Sequence, residues 1–190
     1  MQPSVELMMQ PIRQLMNAIS QLASPQACLF TSSDLRSLLP EHSESAFKTL
    51  LSRAVSEGYL SRICRGLYLF DKANPDRGLL LHHIAAKLRP LGLNYLSLET
   101  VLSDAGVISQ IPMNRIALMS SGRSSIIDCG PWGSIEFVRT HQQANDLVGQ
   151  LQYDPQSRLW RANVSQALRD MRATHRSLDL IDWSMADELV

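Results

Sequence analysis

The chain has 190 residues, 45% of them hydrophobic, and equal numbers of basic and acidic residues give it a formal net charge of +0. This length suffices for one large domain or two small ones, each with a hydrophobic core. A neutral chain has no overall electrostatic field that would draw it to nucleic acid or to acidic membranes. Any basic contact surface must therefore be local.

Cysteine usage and hydropathy indicate a cytoplasmic protein. Cys28, Cys64 and Cys129 are odd in number, far apart and without CxxC spacing, which argues against a disulfide framework and a zinc site. The N-terminus lacks the pattern of a signal peptide, and no apolar stretch approaches the roughly 20 residues that span a bilayer. We expect no membrane contact, no cofactor and no bound metal.

The first 24 residues carry apolar side chains at helical spacing and predict an N-terminal helix that covers the segment after it. Pro11 lies inside this pattern, so the helix either begins there or kinks there. Ser24 and Pro25 end the helix. The apolar positions are Val5, Met8, Met9, Ile12, Leu15, Met16, Ile19 and Leu22.

Residues 31–58 predict two short helices joined by a turn. Hydroxyl side chains at 31–33 can cap the first helix, and Pro40 ends it because proline cannot continue a helix. Ser43 or Ser45 caps the second helix, which has an apolar stripe and ends at Gly58. The stripe consists of Phe47, Leu50, Leu51, Ala54 and Val55.

Residues 59–63 and 67–70 alternate in polarity and predict a β-hairpin with Arg65 and Gly66 at its bend. A helix–turn–helix followed by such a ribbon is the pattern of a winged helix. The exposed face of the second helix would carry small hydroxyls and cations, which suit the major groove of DNA. The candidate DNA-binding residues are Ser45, Lys48, Thr49, Ser52 and Arg53 on the helix, and Arg62 and Arg65 on the wing.

The same side chains would also suit an ordinary solvated surface, and winged helices serve as protein–protein modules too. The local basic residues Lys48, Arg53, Arg62, Arg65 and Lys72 exceed the acidic residues Glu44, Glu57 and Asp71 by two charges. Because DNA affinity depends heavily on phosphate neutralisation, one copy should bind weakly. Useful affinity would require two copies on neighbouring half-sites, or help from a second domain.

The segment DKANPDRG at 71–78 is the best linker candidate. It divides the chain into an N-terminal winged helix-turn-helix domain, residues 1–72, and a C-terminal α+β domain, residues 76–190. We expect the second domain to begin with a helix over 79–91. The adjacent His82 and His83 point in different directions and are expected on its polar face.

The rest of the second domain predicts a helix, a sheet and a helical tail. Ser97 caps the helix and Gly106 closes it. Three short strands separated by turns then indicate a small, mostly antiparallel sheet. These strands are residues 115–120, 125–129 and 134–140.

From Gln142 onwards the chain is predicted to return to helix, with arginines followed by acidic residues. The simplest interpretation is that these charges pair with each other or lie in water. Alternatively, arginines form an auxiliary phosphate-contacting surface, because the guanidinium group suits phosphate geometry. The candidates for that surface are Arg158, Arg161, Arg169 and Arg172; Arg176 lies in the same cluster.

Catalysis is the less favoured interpretation. Asp128 and Glu136 lie on neighbouring predicted strands, as do the metal-binding carboxylates of some nucleases. However, Val138 stands where the nuclease pattern would have lysine. The nucleophile elbow and the GxxxxGK and GxGxxG loops are absent. We therefore expect no enzymatic activity and keep a metal-dependent nuclease as an alternative.

The segment YLSLETVLSDAGVISQIP, followed by NRIALMSSGRSSI and GPWGSIEFVRT, resembles the AbiEi antitoxin family. The preceding GYLSRICRGLYLF sits where that family has its DNA-binding domain. ANVSQALRDM is similar to a later helix of the family, although Val164 and Ser165 replace the usual proline and acid. The matching positions are Ser97, Leu98, Glu99, Leu102, Gly106 and Pro112 in the first motif, and Gly133, Glu136 and Phe137 in the last.

This resemblance implies a DNA-binding antitoxin that is also the transcriptional autorepressor of a type IV toxin–antitoxin, or phage-defence, operon. In that family the winged helix binds inverted repeats in its own promoter, which suits a dimer on double-stranded DNA. The C-terminal domain assists binding and counters a nucleotidyltransferase toxin, usually without a stable complex. A stand-alone winged-helix transcriptional regulator without a toxin partner is the alternative.

Overall fold

The computed structural model describes residues 10–109 and 114–190. The chain divides into two compact units that meet in sequence at Asp76 and Arg77, within the predicted linker. Its described residues form seven α-helices and two sheets, of three and six strands, so the predicted α+β class is confirmed. None of the helices in these two ranges combines the length and the apolar character needed to cross a bilayer.

The first unit has a short antiparallel sheet and three helices. Its elements are α1 (Pro11–Leu22), β1 (Leu29–Thr31), α2 (Ser32–Ser37), α3 (Glu44–Ser56), β2 (Ser61–Cys64) and β3 (Leu67–Leu69). The strand order is β1-β3-β2, so β3 is the central strand. The two helices and the hairpin predicted over 31–70 are confirmed, whereas β1 was not predicted.

Local hydrogen bonds explain where the helices of this unit begin. Thr31 and Asp34 form a capping box, with Asp34 N donating to Thr31 Oγ1 at 3.0 Å and Thr31 N donating to Asp34 Oδ2 at 2.8 Å. Ser43 caps α3 by accepting from Ala46 N at 3.3 Å. The first helix begins at Pro11, with Gln10 as its N-cap. The predicted apolar positions Val5, Met8 and Met9 lie outside the described residues.

The core of the first unit is formed where α1 and α3 pack together with α2 and the sheet. The apolar stripe predicted for α3 is buried there, except that Val55 is only partly buried. Burial of each large apolar side chain contributes roughly 1.5–3 kcal/mol, so this contact fixes how α3 is rotated about its axis. The buried core residues include Ile12, Leu15, Ile19, Leu35, Phe47, Leu50, Leu51, Ala54, Tyr68 and Phe70.

The second unit is built around a six-stranded mixed sheet with the order β6-β7-β5-β4-β9-β8. Its helices are α4 (Leu80–Leu88), α5 (Leu98–Asp104), α6 (Val164–Ala173) and α7 (Trp183–Glu188). Its strands are β4 (Asn94–Leu96), β5 (Arg115–Ser120), β6 (Ser125–Asp128), β7 (Ser134–Arg139), β8 (Leu151–Asp154) and β9 (Leu159–Ala162). The β7/β5 and β4/β9 pairs are parallel and the other three are antiparallel.

The three predicted strands are present, but the sheet is twice as large as expected. The prediction that the chain returns to helix from Gln142 is wrong, because β8 and β9 form a hairpin before α6 begins. Leu159 and Ala162 are buried at a spacing of three, which also fits a helix, whereas the exposed Trp160 between them follows strand alternation. A four-residue strand is too short to separate the two periods.

The two adjacent histidines of α4 do not lie on a polar face as predicted. His83 is buried, and its Nε2 lies 2.7 Å from the backbone oxygen of Gln156. His82 is partly buried, and this burial lowers the pKa of its imidazole. Both rings therefore contribute to packing between α4 and the rest of the second unit.

A buried carboxylate joins several elements of the second unit. Asp170 of α6 is 0% exposed and accepts hydrogen bonds from Ser97 Oγ at 2.6 Å and Gln166 Nε2 at 2.9 Å. Gln142 Nε2 and Tyr95 OH donate to it at 3.2 and 3.3 Å. All four donors are uncharged. Desolvation therefore raises the pKa of Asp170 above its usual value, although the four hydrogen bonds act in the opposite direction.

Replacing this carboxylate should change how stability depends on pH. The folded-state pKa of Asp170 lies above the unfolded value, so ionisation costs stability as pH rises from the ordinary aspartate value through the folded value. Wild type should therefore gain stability relative to Asp170→Asn when pH is lowered through that window, by about 1.4 kcal/mol per unit of pKa shift. Urea unfolding of both proteins across pH measures this difference. A constant difference, or a loss by wild type on acidification, would contradict it.

Candidate nucleic-acid interface

The outward face of α3 is a stripe of small hydroxyl side chains. Ser45, Thr49 and Ser52 are all exposed, because they lie opposite the apolar stripe at 3.6 residues per turn. Thr49 Oγ1 donates to the backbone oxygen of Ser45 at 3.0 Å. We call Ser45, Thr49 and Ser52 the hydroxyl stripe. It presents short polar groups to the surroundings, as the sequence predicted.

A carboxylate on α3 or at its C-cap pairs with each of the two cations that flank this stripe. Lys48 Nζ lies 3.0 Å from Glu44 Oε1, and Arg53 Nε lies 2.6 Å from Glu57 Oε1. Both pairs are four residues apart and solvent-exposed. The sequence prediction counted these four charges but did not recognise that they neutralise each other in pairs.

A groove of about 570 Å³ lies between α2, the first half of α3 and the β2–β3 hairpin. Its lining includes four cations and a single carboxylate: Arg36, Lys48, Arg62, Arg65 and Glu44. We call this the hairpin groove. The structure thus brings three predicted DNA-binding residues, Lys48, Arg62 and Arg65, to one concave surface. The hydroxyl stripe and Arg53 do not line it.

The tip of the β2–β3 hairpin is held against the start of α2. Ser32 N donates to the backbone oxygen of Gly66 at 2.9 Å, and Gly66 has a φ of +79°, which favours glycine. Arg65, the neighbouring residue, is exposed, as is Arg62 on β2. Main-chain bonds therefore set the distance between the hairpin cations and α2.

Arg36 is a residue of this surface that the sequence analysis missed. Its guanidinium donates to the backbone oxygens of Leu39 and His42 and, at 3.5 Å, of Pro40. It also lies 5.4 Å from the centroid of the Phe47 ring. These contacts span the turn between α2 and α3. The signal in the sequence is only an arginine shortly before a proline turn, which is too general to predict this role.

Loss of Arg36 should destabilise the first unit. We expect Arg36→Ala to lower the free energy of unfolding by about 1–3 kcal/mol, because three carbonyl oxygens lose a charged donor. Arg36→Lys should recover only part of this, since an ammonium group lacks the guanidinium fork. Arg13→Ala, on the exposed face of α1, is the matched control. If urea unfolding gives Arg36→Ala the same free energy of unfolding as Arg13→Ala, the stabilising role of Arg36 is contradicted.

The arginines proposed as an auxiliary basic surface do not form one basic helix. Arg158 lies at the β8–β9 turn, and Arg161 on β9 pairs with Asp104 at 2.9 Å. Arg169 and Arg172 are exposed on α6, and Arg172 lies over the ring of Trp183. The helical prediction for this segment was wrong, because two arginines of the cluster, Arg158 and Arg161, belong to the β8–β9 hairpin.

A chain of ion pairs links α5, β5 and β7 of the second unit to the loop that follows α6. Arg176 bridges Glu99 at 2.9 Å and Glu136 at 2.6 Å, and Arg115 reaches the second oxygen of Glu136 at 2.8 Å. The two carboxylates considered for a nuclease site, Asp128 and Glu136, are not cross-strand partners, because the strand pairing places Asp128 opposite Ser134. Across residues 10–109 and 114–190, no three His, Cys, Asp or Glu side chains are grouped to hold a metal ion. Glu136 therefore serves ion pairing in this structure.

Comparison with known proteins gives a fold similarity alone. No protein-family model matches the chain, and no curated protein matches it. Among solved structures, the crystal structure of RV2827C protein from Mycobacterium tuberculosis is similar, with a TM-score of 0.56 and 16% sequence identity. The match covers 88% of this chain and 63% of that protein, so the chain spans less than two thirds of its length.

Proposed function

We propose that the protein is a DNA-binding antitoxin and transcriptional autorepressor of a type IV toxin–antitoxin operon. The observation that carries the DNA-binding part is the hairpin groove, which brings Lys48, Arg62 and Arg65 to one concave surface. The hydroxyl stripe lies outside this groove, on the exposed face of α3 that Lys48 flanks. The antitoxin part rests on the resemblance of the sequence to the AbiEi family. Its partners would be double-stranded DNA and a nucleotidyltransferase toxin.

The element order of the first unit supports a winged helix. The order is α1, β1, α2, α3, β2 and β3, in which β1 pairs with β3 and the β2–β3 hairpin follows α3 directly. In this proposal α3 is the recognition helix and the β2–β3 hairpin is the wing. Exposure of Ser45, Lys48, Thr49, Ser52 and Arg53 is compatible with α3 lying in a major groove.

The proposed docking assigns different tasks to the two sets of residues. The hydroxyl stripe would contact base edges, whereas Lys48, Arg62 and Arg65 would contact phosphates. The turn between β2 and β3 contains only Arg65 and Gly66, so the wing is short and suits phosphates at the edge of a groove. The small number of unpaired cations favours two copies on an inverted repeat.

Removing a phosphate contact should weaken binding and reduce its salt dependence. We expect Lys48→Ala and Arg65→Ala each to reduce affinity for the DNA upstream of the protein's own reading frame. Each should lower the slope of log K against log salt by about 0.9. Gel-shift titrations at several salt concentrations measure both effects. Arg123→Ala, an exposed change in the second unit, is the control; equal slopes for all four proteins would contradict the docking.

Co-expression tests the antitoxin part. The chain should restore growth to cells that express the nucleotidyltransferase encoded next to its own gene. A Lys48→Ala/Arg65→Ala double variant should also restore growth, because the resemblance assigns antitoxin activity to the second unit. Failure of the wild-type chain to restore growth, together with binding to its own upstream DNA, would instead favour a stand-alone transcriptional regulator.

A further inference from the structure

We propose that Glu44 and Glu57 are specificity-determining residues that suppress binding of α3 to DNA of random sequence. This inference rests on the proposed function, because it assigns a role to carboxylates that flank the proposed recognition surface. Contact with phosphate alone would disfavour acidic residues at this surface.

The geometry places one carboxylate on each side of the hydroxyl stripe. Glu44 pairs with Lys48 at 3.0 Å on the side that faces the hairpin groove, and Glu57 pairs with Arg53 at 2.6 Å on the other side. The hydrogen bond and charge of Lys48 lower the pKa of Glu44, so this carboxylate is ionised at neutral pH. The two ion pairs leave the exposed face of α3 without net charge.

Neutral flanks weaken binding to random DNA, which depends on phosphate neutralisation. A phosphate near Lys48 or Arg53 would also lie within the Debye length, about 8 Å at physiological salt, of the paired carboxylate. The carboxylate therefore repels the same phosphate that the cation attracts. The affinity for DNA of random sequence then depends mainly on the two hairpin cations, Arg62 and Arg65.

A preferred DNA sequence loses less from these carboxylates, because the hydroxyl stripe contributes base contacts there. Glu44 also lies in the first turn of α3, the part of a recognition helix that approaches base edges. Its carboxylate can accept a hydrogen bond from the amino group of cytosine. Removing the carboxylates should therefore raise the affinity for random DNA by a larger factor than the affinity for the preferred sequence.

The test uses the full chain and two duplexes, the DNA immediately upstream of its own reading frame and a shuffled sequence of equal length. Glu44→Gln and Glu57→Gln keep the side-chain size and remove one negative charge each. Glu41→Gln, in the exposed turn before α3, makes the same charge change outside the two pairs. Circular dichroism checks that every variant is folded.

We expect Glu44→Gln and Glu57→Gln each to raise affinity for the shuffled duplex roughly three- to tenfold and to steepen its salt slope by about 0.9. The ratio of upstream to shuffled affinity should fall, whereas Glu41→Gln should leave it unchanged. Binding of wild type to the upstream duplex with no effect of either variant on the ratio would overturn this inference alone. Absence of wild-type binding to both duplexes would overturn the proposed function as well.

Discussion

Burial of the apolar stripe of α3 is the constraint on which the candidate interface depends. Phe47, Leu50, Leu51 and Ala54 are packed into the core of the first unit, and their positions leave only one rotation of α3 about its axis. That rotation exposes Ser45, Thr49 and Ser52 and puts Lys48 and Arg53 on the two flanks. The polar surface is therefore a consequence of core packing, because the buried residues of α3 determine which of its other residues face solvent.

Much of the first unit could be predicted from the sequence because its signals are local. Thr31, Ser43, Pro40, Gly58 and Gly66 each act within a few residues, through caps, a missing donor or a positive φ. The second unit was harder to predict. Its β4, β8 and β9 strands have three or four residues each, and such segments become strands through pairing with distant partners. Short apolar runs do not reveal those partners.

The candidate interface, like the rest of the first unit, was predictable where its signals are local. Exposure of Lys48, Arg62 and Arg65 follows from helix and hairpin periodicity, and the structure agrees with it. Pairing of Glu44 with Lys48 was available from their spacing, which is four residues on one helix. The role of Arg36 was not available, since its contacts depend on where the following turn places three carbonyl groups.

The hydrogen bond from Ser32 N to the oxygen of Gly66 joins two main-chain segments, and the β1–β3 pairing continues next to it. The separation of the groove walls therefore depends on the backbone, whereas the charge of the groove depends on side chains. Substitutions at exposed positions can change the sign or strength of the local potential without altering the width of the cleft. Surface mutation of the first unit can accordingly change which charges the groove presents without reshaping it.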